Sequence, residues 1–184
     1  MSATTFRLIT GDDVRALVTP ADLVPVMERA LSAFSTGAVL QPFRTNLVVG
    51  SAGDTVHVMP AFVGALPALG QKIVTVFHGN AALGLPSHFA TVLLLDPATG
   101  ALVAMIEGAS LTELRTAAVS AVAARHLAGP SPATLAIFGA GVQARGHLAA
   151  FAGTVPGLRE VRVWSPFPDA RALADQAAAW SPVP

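Results

Sequence analysis

The feature that most constrains the fold of this chain is a glycine-containing loop that joins an apolar strand to a helix. The loop reads Gly139-Ala140-Gly141-Val142-Gln143-Ala144 and follows a strand pattern from Thr134 to Phe138. In such a loop the first glycine permits a tight turn, the second lets a pyrophosphate approach the backbone, and a small third residue lets helix and sheet pack closely. The helix N-terminus that follows attracts phosphate charge. The pattern predicts a dinucleotide-binding unit; the alternative is a glycine-rich turn that binds nothing.

Strand and helix patterns alternate around this loop. Apolar strands are predicted at Thr134 to Phe138 and at Val161 to Trp164, and helices at about 142–152 and at Asp169 to Trp180. A parallel sheet with covering helices begins in this order. The sequence ends at Pro184. We therefore expect residues 132–184 to be the first half of an NAD(P)-binding Rossmann domain, truncated within it.

The chain before Gly129-Pro130-Ser131-Pro132 has a different pattern. A helix is predicted to start at Thr19-Pro20, with Thr19 as N-cap, and to stop at Gly37. Short strand patterns with turn signals fill residues 44–106. The segment Ser110-Leu111-Thr112-Glu113 has the form of a capping box, which predicts a helix to about residue 127. The predicted fold class is α/β, with an α+β domain over residues 1–129 and the incomplete Rossmann domain after it.

Composition excludes several classes of function. The formal net charge is +0 and 12% of residues are charged, without a basic stripe, which argues against nucleic-acid binding. With Cys 0, disulfides and thiol chemistry are excluded, and the five His lack metal-ligand spacing, so no metal site is predicted. The longest uncharged stretch, Ile73 to Leu95, contains glycine, proline and histidine and predicts two strands rather than a membrane span. The N-terminus lacks a signal-peptide pattern, so a cytoplasmic location is expected.

Lys72 is the single lysine among the 11 basic residues. One interpretation is chance. The other is that a compact, titratable ammonium does something at this position that a guanidinium does poorly. Composition leaves both open.

The end of the second Rossmann strand bears on the choice of cofactor. NAD-binding proteins usually offer an acid there to the adenosine ribose. This strand ends at Trp164-Ser165-Pro166, and Arg171 follows nearby. Ser165 is predicted to contact a ribose hydroxyl or a phosphate, which leans weakly towards NADP over NAD. Asp169 is interpreted as a cap of the next helix.

Several short sequence motifs occur in a fixed order that resembles the ornithine cyclodeaminase/mu-crystallin family. The resemblance covers roughly Arg44 to Trp164. It implies an N-terminal substrate and dimerisation domain with an inserted Rossmann domain. In chain order, the motifs and positions that carry the resemblance are Lys72, Gly84-Leu85-Pro86-Ser87-His88-Phe89-Ala90-Thr91, Asp96 to Gly100, Leu111-Thr112-Glu113-Leu114-Arg115-Thr116-Ala117-Ala118, and the loop Gly139 to Ala144.

The resemblance implies roles for individual residues. Arg44 and Lys72 look like the residues that hold a substrate carboxylate, with Lys72 also catalytic. Arg115 looks like a residue at the junction of substrate and cofactor. Ser87 and His88 look like cofactor contacts, and Gly139, Ala140, Gly141, Val142, Gln143 and Ser165 complete the implied cofactor set. The alternatives are a solvated Arg44, an Arg115 paired with Glu107 or Glu113, and a core histidine at His88, while His57 and His78 are interpreted as structural.

The implied activity is NAD(P)-dependent hydride transfer at C2 of a small amino or imino acid. In the cyclodeaminase version L-ornithine gives L-proline and ammonia, and in the reductase version an imine such as pyrroline-2-carboxylate is reduced. The family's catalytic acid lies beyond the Rossmann half present here, so this chain is expected to be inactive alone. A homodimer is expected for the whole protein. The alternative is a non-catalytic, mu-crystallin-like protein that binds NADP or a small ligand.

Overall fold

The computed structural model describes residues 5–155, 157–167 and 169–179. The chain forms two compact units. Unit 1 comprises Met1–Leu17 and Ala30–Leu111, and unit 2 comprises Val18–Arg29 and Thr112–Pro184. This division differs from the predicted break at residues 130–131, because two helical segments expected in the first domain pack with the downstream residues instead.

Unit 1 is built on an open sheet. Its strands and short α-helix are β1 (Arg7–Ile9), α1 (Gly11–Leu17), β2 (Val39–Leu40), β3 (Thr45–Val49), β4 (Asp54–Val63), β5 (Ala68–Val76), β6 (His88–Leu95) and β7 (Leu102–Glu107), and a 3₁₀ helix (His78–Leu83) lies between β5 and β6. Among the described residues, seven strands share this sheet in the order β1-β7-β6-β5-β4-β2, with β3 also paired to β4. Neighbouring strands are antiparallel except β1 and β7. The predicted antiparallel style and five of the predicted strands are therefore confirmed, with shifted ends.

Two helices start with the same reciprocal hydrogen bonds. At α1, Thr10 donates its N–H and its hydroxyl to the Asp13 carboxylate, and the Asp13 N–H donates back to the Thr10 hydroxyl. Thr19 and Asp22 repeat the pattern at α2 (Pro20–Ser35), which confirms Thr19 as its N-cap. In both boxes the threonine hydroxyl, followed by the threonine N–H, holds the pKa of the aspartate below its ordinary value.

The start of α3 (Gly108–Leu127) differs from the predicted capping box. The helix begins three residues earlier, and the cap is the carboxylate of Glu107, which accepts from the N–H groups of Ala109 and Ser110. Ser110 is buried, and its hydroxyl accepts from Arg15. Burial alone would raise the pKa of Glu107, but the hydrogen bonds from Ser110 and Ala109 and the charge of Arg15 together lower it. The predicted helix start at residues 110–113 was wrong, because Ser110 is the third residue of α3 and its N–H is one of the groups that Glu107 caps.

Unit 2 contains the predicted alternation of strand and helix. Its elements after α3 are β8 (Thr134–Phe138), α4 (Val142–Thr154), β9 (Glu160–Trp164) and α5 (Asp169–Ala179). β8 and β9 are parallel, from Thr134 opposite Glu160 to Phe138 opposite Trp164. The predicted βαβα order is confirmed, and Trp180, the predicted end of the last helix, lies outside the described residues.

Small side chains let the helices of unit 2 approach closely. Ala117, Ala118 and Ala121 of α3 are fully buried in one cluster with Val24 of α2 and Ala150 of α4. A Cβ added at Gly146 of α4 would lie 2.9 Å from Cγ of Glu113. These contacts explain why Val18–Arg29 and the part of α3 from Thr112 onward belong to the same unit as β8, α4, β9 and α5.

Candidate dinucleotide-binding site

The loop after β8 requires glycine at its first position. Gly139 has φ +100°, a backbone conformation that side-chain-bearing residues rarely adopt. Its N–H donates to the carbonyl of Trp164 at 2.7 Å, so the loop is tied to the end of β9. This bond fixes the turn that carries the chain from β8 into α4.

Gly141 is a glycine for a different reason. It is the N-cap of α4 with φ −76° and ψ −167°, an extended conformation open to any residue. A Cβ added there would meet nothing within 4 Å. Neither backbone conformation nor protein packing therefore requires glycine here. The missing side chain leaves an open space directly over the start of a helix, which suits an approaching phosphate group.

A cleft of about 540 Å³ opens at this loop. This volume lies within the range of sites that hold small molecules and cofactors, about 300–1,000 Å³. Gly141, Val142 and Gln143 at the start of α4 line this cleft, so the helix N-terminus faces it. Residues of β8, the loop and α4 line it: Leu135, Ala136, Ile137, Phe138, Gly139, Gly141, Val142, Gln143, Ala144, His147 and Phe151.

The other positions of the predicted loop divide between cleft and core. Ala140 is buried in a cluster with Ile137, Leu148 and Leu173, and Ala144 packs against this cluster. The small residues at these two positions bring α4 close to the strands, as the motif predicts. Val142 and Gln143 are exposed at the cleft. The loop thus fits a pyrophosphate: open space at Gly141, backbone N–H groups at the helix start, and no acidic side chain among the residues that line it.

His147 lines the same cleft and was not predicted from the sequence. Its Nδ1 lies 2.6 Å from the carbonyl oxygen of Gln143, and its Nε2 lies 2.9 Å from Oγ of Ser120. A carbonyl oxygen only accepts, so Nδ1 carries the proton, and in the neutral ring Nε2 accepts from the Ser120 hydroxyl. The ring therefore ties the first turn of α4 to α3. The sequence gives no signal for this, since Ser120 lies 27 residues away.

Ser165 lies one residue beyond β9, at the edge of the strand pair that carries the loop. Its hydroxyl accepts from the N–H of Phe167 at 3.2 Å and donates to Oδ1 of Asp169 at 3.0 Å. Asp169, the first residue of α5, is exposed. The carboxylate of Asp169 thus lies beside Ser165, the residue predicted from the sequence to contact the adenosine ribose.

Arg115 lies on α3, within the sequence motif LTELRTAA at residues 111–118. The side chain keeps an exposed surface, and partial burial lowers the pKa of its guanidinium, which stays charged at neutral pH. Glu107, one of the two ion-pair partners considered for it, is engaged at the α3 N-terminus. The next residue, Thr116, has a buried hydroxyl oxygen with no hydrogen-bond partner among the described residues. Such a group costs free energy unless water or a ligand reaches it.

In unit 1, strand register relates two of the predicted substrate residues. Lys72 of β5 is half-buried and lies opposite Met59 of β4. Arg44 immediately precedes β3, whose first residue, Thr45, lies opposite Val58, the neighbour of Met59 in β4. The two residues therefore belong to segments that flank β4 on opposite sides, β5 on one and the start of β3 on the other. Arg44 is exposed.

Ser87 and His88 are adjacent at the start of β6. The Ser87 hydroxyl lies 2.8 Å from Nδ1 of His88, and the Ser87 carbonyl accepts from the N–H of Phe77. His88 is exposed, so it is not a core histidine. Their predicted role as cofactor contacts, like that of Arg115 beside the substrate, stays a prediction.

The described residues offer neither a metal cluster nor a membrane-spanning helix. No group of three or more His, Asp or Glu residues among them is placed to hold a metal ion. No helix in the part that the structure describes has the length and apolar character needed to cross a membrane.

The fold and the loop lead to one family of proteins. A model of the ornithine cyclodeaminase/mu-crystallin family matches residues 6–180. The chain belongs to this family. The α/β fold class is confirmed by a solved structure, the Δ1-pyrroline-2-carboxylate reductase of Thermococcus litoralis in complex with NADH and L-proline. That structure superposes with a TM-score of 0.86 at 32% identity, over 95% of this chain and 54% of the other.

Two relatives in the ornithine cyclodeaminase/mu-crystallin family show the range of similarity. The ketimine reductase mu-crystallin of Mus musculus is 43% identical over 146 residues, 78% of this chain and 46% of that protein. A Δ1-pyrroline-2-carboxylate reductase of Bacillus cereus is 37% identical over 139 residues, 76% of this chain and 43% of that protein. The chain spans about half the length of the curated relatives it matches.

Proposed function

We propose that the protein transfers a hydride between a nicotinamide dinucleotide and C2 of a small amino or imino acid. The open cleft at Gly141, over the N-terminus of α4, is the observation that carries this proposal. It would hold the pyrophosphate by backbone N–H groups and the helix dipole, with Val142 and Gln143 beside it. When bound, the nicotinamide supplies the hydride chemistry itself.

The named relatives support an imino-acid substrate. They are a ketimine reductase and Δ1-pyrroline-2-carboxylate reductases, and the solved neighbour was bound to L-proline. These compounds share a carboxylate next to C2. We propose that Arg44, just before β3, and Lys72 of β5 bind this carboxylate; β3 and β5 both pair with β4. A guanidinium binds a carboxylate in bidentate fashion, which fixes the orientation of C2.

The chain's own residues would then do two things. Arg44 holds and orients the carboxylate. The Lys72 ammonium pairs with the same carboxylate and moves a proton at the imine nitrogen, which a guanidinium does poorly.

The test is turnover by the whole protein. With Δ1-pyrroline-2-carboxylate, we expect oxidation of NADH or NADPH, followed by absorbance at 340 nm, and formation of proline. L-ornithine with NAD⁺ is the second arm, since the cyclodeaminase (lyase) reaction would release ammonia. Tight cofactor binding without turnover in either arm contradicts the enzymatic proposal and favours the non-catalytic ligand-binding alternative.

We also propose that the protein is a homodimer through unit 1. Large apolar side chains are exposed on or beside the β2–β3 edge of the sheet: Leu40, Phe43, Leu47 and Val48. Exposed apolar groups at a sheet edge are typical of surfaces that another chain covers. We expect Leu47→Lys to shift the sedimentation velocity profile from dimer to monomer, with Val103→Lys, another exposed strand position, as control. If the unaltered protein sediments as a monomer, this proposal is wrong.

The cytoplasmic location stays a prediction, which cell fractionation would test.

A further inference from the structure

We propose that Asp169 contacts the adenosine ribose of the bound dinucleotide and selects NAD over its 2′-phosphorylated form, NADP. This inference rests on the proposed dinucleotide site at Gly141. It is the opposite of the preference that the strand end alone suggests, where Ser165 and Pro166 stand in place of an acid.

The position of Asp169 follows from a short chain of hydrogen bonds. The Gly139 N–H donates to the Trp164 carbonyl, which joins the glycine loop to the last residue of β9. Ser165 comes next, and its hydroxyl donates to the Asp169 carboxylate at 3.0 Å. The segment after β9 therefore folds back and returns an acid from the start of α5 to the strand end. In parallel sheets of this type the ribose lies at that strand end.

Sequence spacing misses this acid because Asp169 is five residues beyond Trp164. The fold-back is stabilised locally, since the Ser165 hydroxyl also accepts from the Phe167 N–H. Ser165 thus has a positioning role, and its hydroxyl is engaged with Asp169 rather than offered to a phosphate. Asp169 remains exposed at this edge.

The chemistry of a carboxylate decides between the two cofactors. An ionised carboxylate only accepts hydrogen bonds and has two oxygens, so the Ser165 bond leaves capacity for ribose hydroxyls. A 2′-phosphate offers no such donor at that carbon and adds a charge of about −1.5 to −2, as phosphate monoesters do. Two anionic groups at one edge repel each other. Arg171 lies two residues further along α5 and is the group that would favour the phosphate instead.

The experiment compares two probes that carry only the adenosine half, ADP-ribose and 2′-phospho-ADP-ribose, by calorimetry with the whole protein. We expect ADP-ribose to bind about tenfold tighter or more, the value of a hydrogen bond to a charged group. In Asp169→Asn, which still accepts from Ser165, this ratio falls about tenfold, and Asp169→Glu retains it. Asp175→Asn, which removes an exposed acid from the same helix, leaves the ratio unchanged. Equal melting temperatures of the two Asn variants exclude a purely structural effect.

The possible results distinguish a failure of the Asp169 inference from a failure of the proposed dinucleotide site at Gly141. Discrimination that survives Asp169→Asn overturns the role of Asp169, as does a preference for the 2′-phosphorylated probe that Arg171→Gln removes. Either result leaves the dinucleotide site at Gly141 intact. If neither probe binds, both this inference and the proposed cofactor site are wrong.

Discussion

Replacing Gly141 with leucine is expected to abolish dinucleotide binding while the protein stays folded. A Cβ at this position meets no protein atom within 4 Å and the backbone is extended, so a larger side chain is accommodated without strain. That side chain would instead fill the cleft where the pyrophosphate approaches the start of α4. Losing two hydrogen bonds to a charged group, at about 1.5 kcal/mol or more each, corresponds to about a hundredfold or more in affinity. Fluorescence titration with NADH and NADPH measures the loss.

Two other glycines provide controls for this variant. Gly129 has open space around it and no unusual φ, so Gly129→Leu should change neither binding nor stability. Gly139 has φ +100°, so Gly139→Ala should strain the backbone and lower the free energy of unfolding by about 1–3 kcal/mol. Gly141→Leu is thus expected to lose cofactor binding but keep its stability, whereas Gly139→Ala is expected to lose stability. Unchanged cofactor affinity in Gly141→Leu would refute the assignment of the loop.

The Rossmann-like elements were predictable because their signals are local. An apolar strand, a glycine loop and a helix follow one another directly, and the structure places β8 at the predicted residues Thr134–Phe138. The start of α3 was not predictable in this way. Ser110 and Glu113 have the spacing of a capping box, but the helix is capped by Glu107, and the Ser110 hydroxyl accepts from Arg15, 95 residues away in sequence. The short elements β1 and α1 also lacked a periodic signal, since they have 3 and 7 residues.

In the candidate site, too, local sequence signals are predictable and tertiary contacts are not. Gly139 and Gly141 carry a recognisable pattern, and both line one cleft. His147 and Asp169 are placed at the site by hydrogen bonds to Ser120 and Ser165, and nothing in their own sequence spacing indicates these partners. The grouping of α2 and α3 with unit 2 likewise depends on packing of small residues such as Ala117 and Ala150, which periodicity does not assign to a partner helix.

The substitution Lys72→Arg is expected to remove most of the turnover of the whole protein with little loss of stability. It keeps the positive charge, and the half-buried site on β5 retains a long side chain opposite Met59. The guanidinium is larger, planar and always charged, so it neither fits the compact ammonium position nor moves a proton. Loss of a positioned proton donor lowers kcat by about a hundredfold or more. The measurement is steady-state oxidation of NADH or NADPH with Δ1-pyrroline-2-carboxylate, beside a thermal melt.

Arg44→Lys is the matched control, because it makes the reverse exchange at the other residue proposed to bind the carboxylate. If Arg44 only holds the carboxylate, this variant loses the bidentate contact and raises KM, while kcat changes much less than in Lys72→Arg. The two variants therefore separate holding the substrate from moving the proton. If Lys72→Arg turns over normally, or if both variants change only KM, Lys72 has no catalytic role, and the single lysine of the chain reflects chance or charge alone.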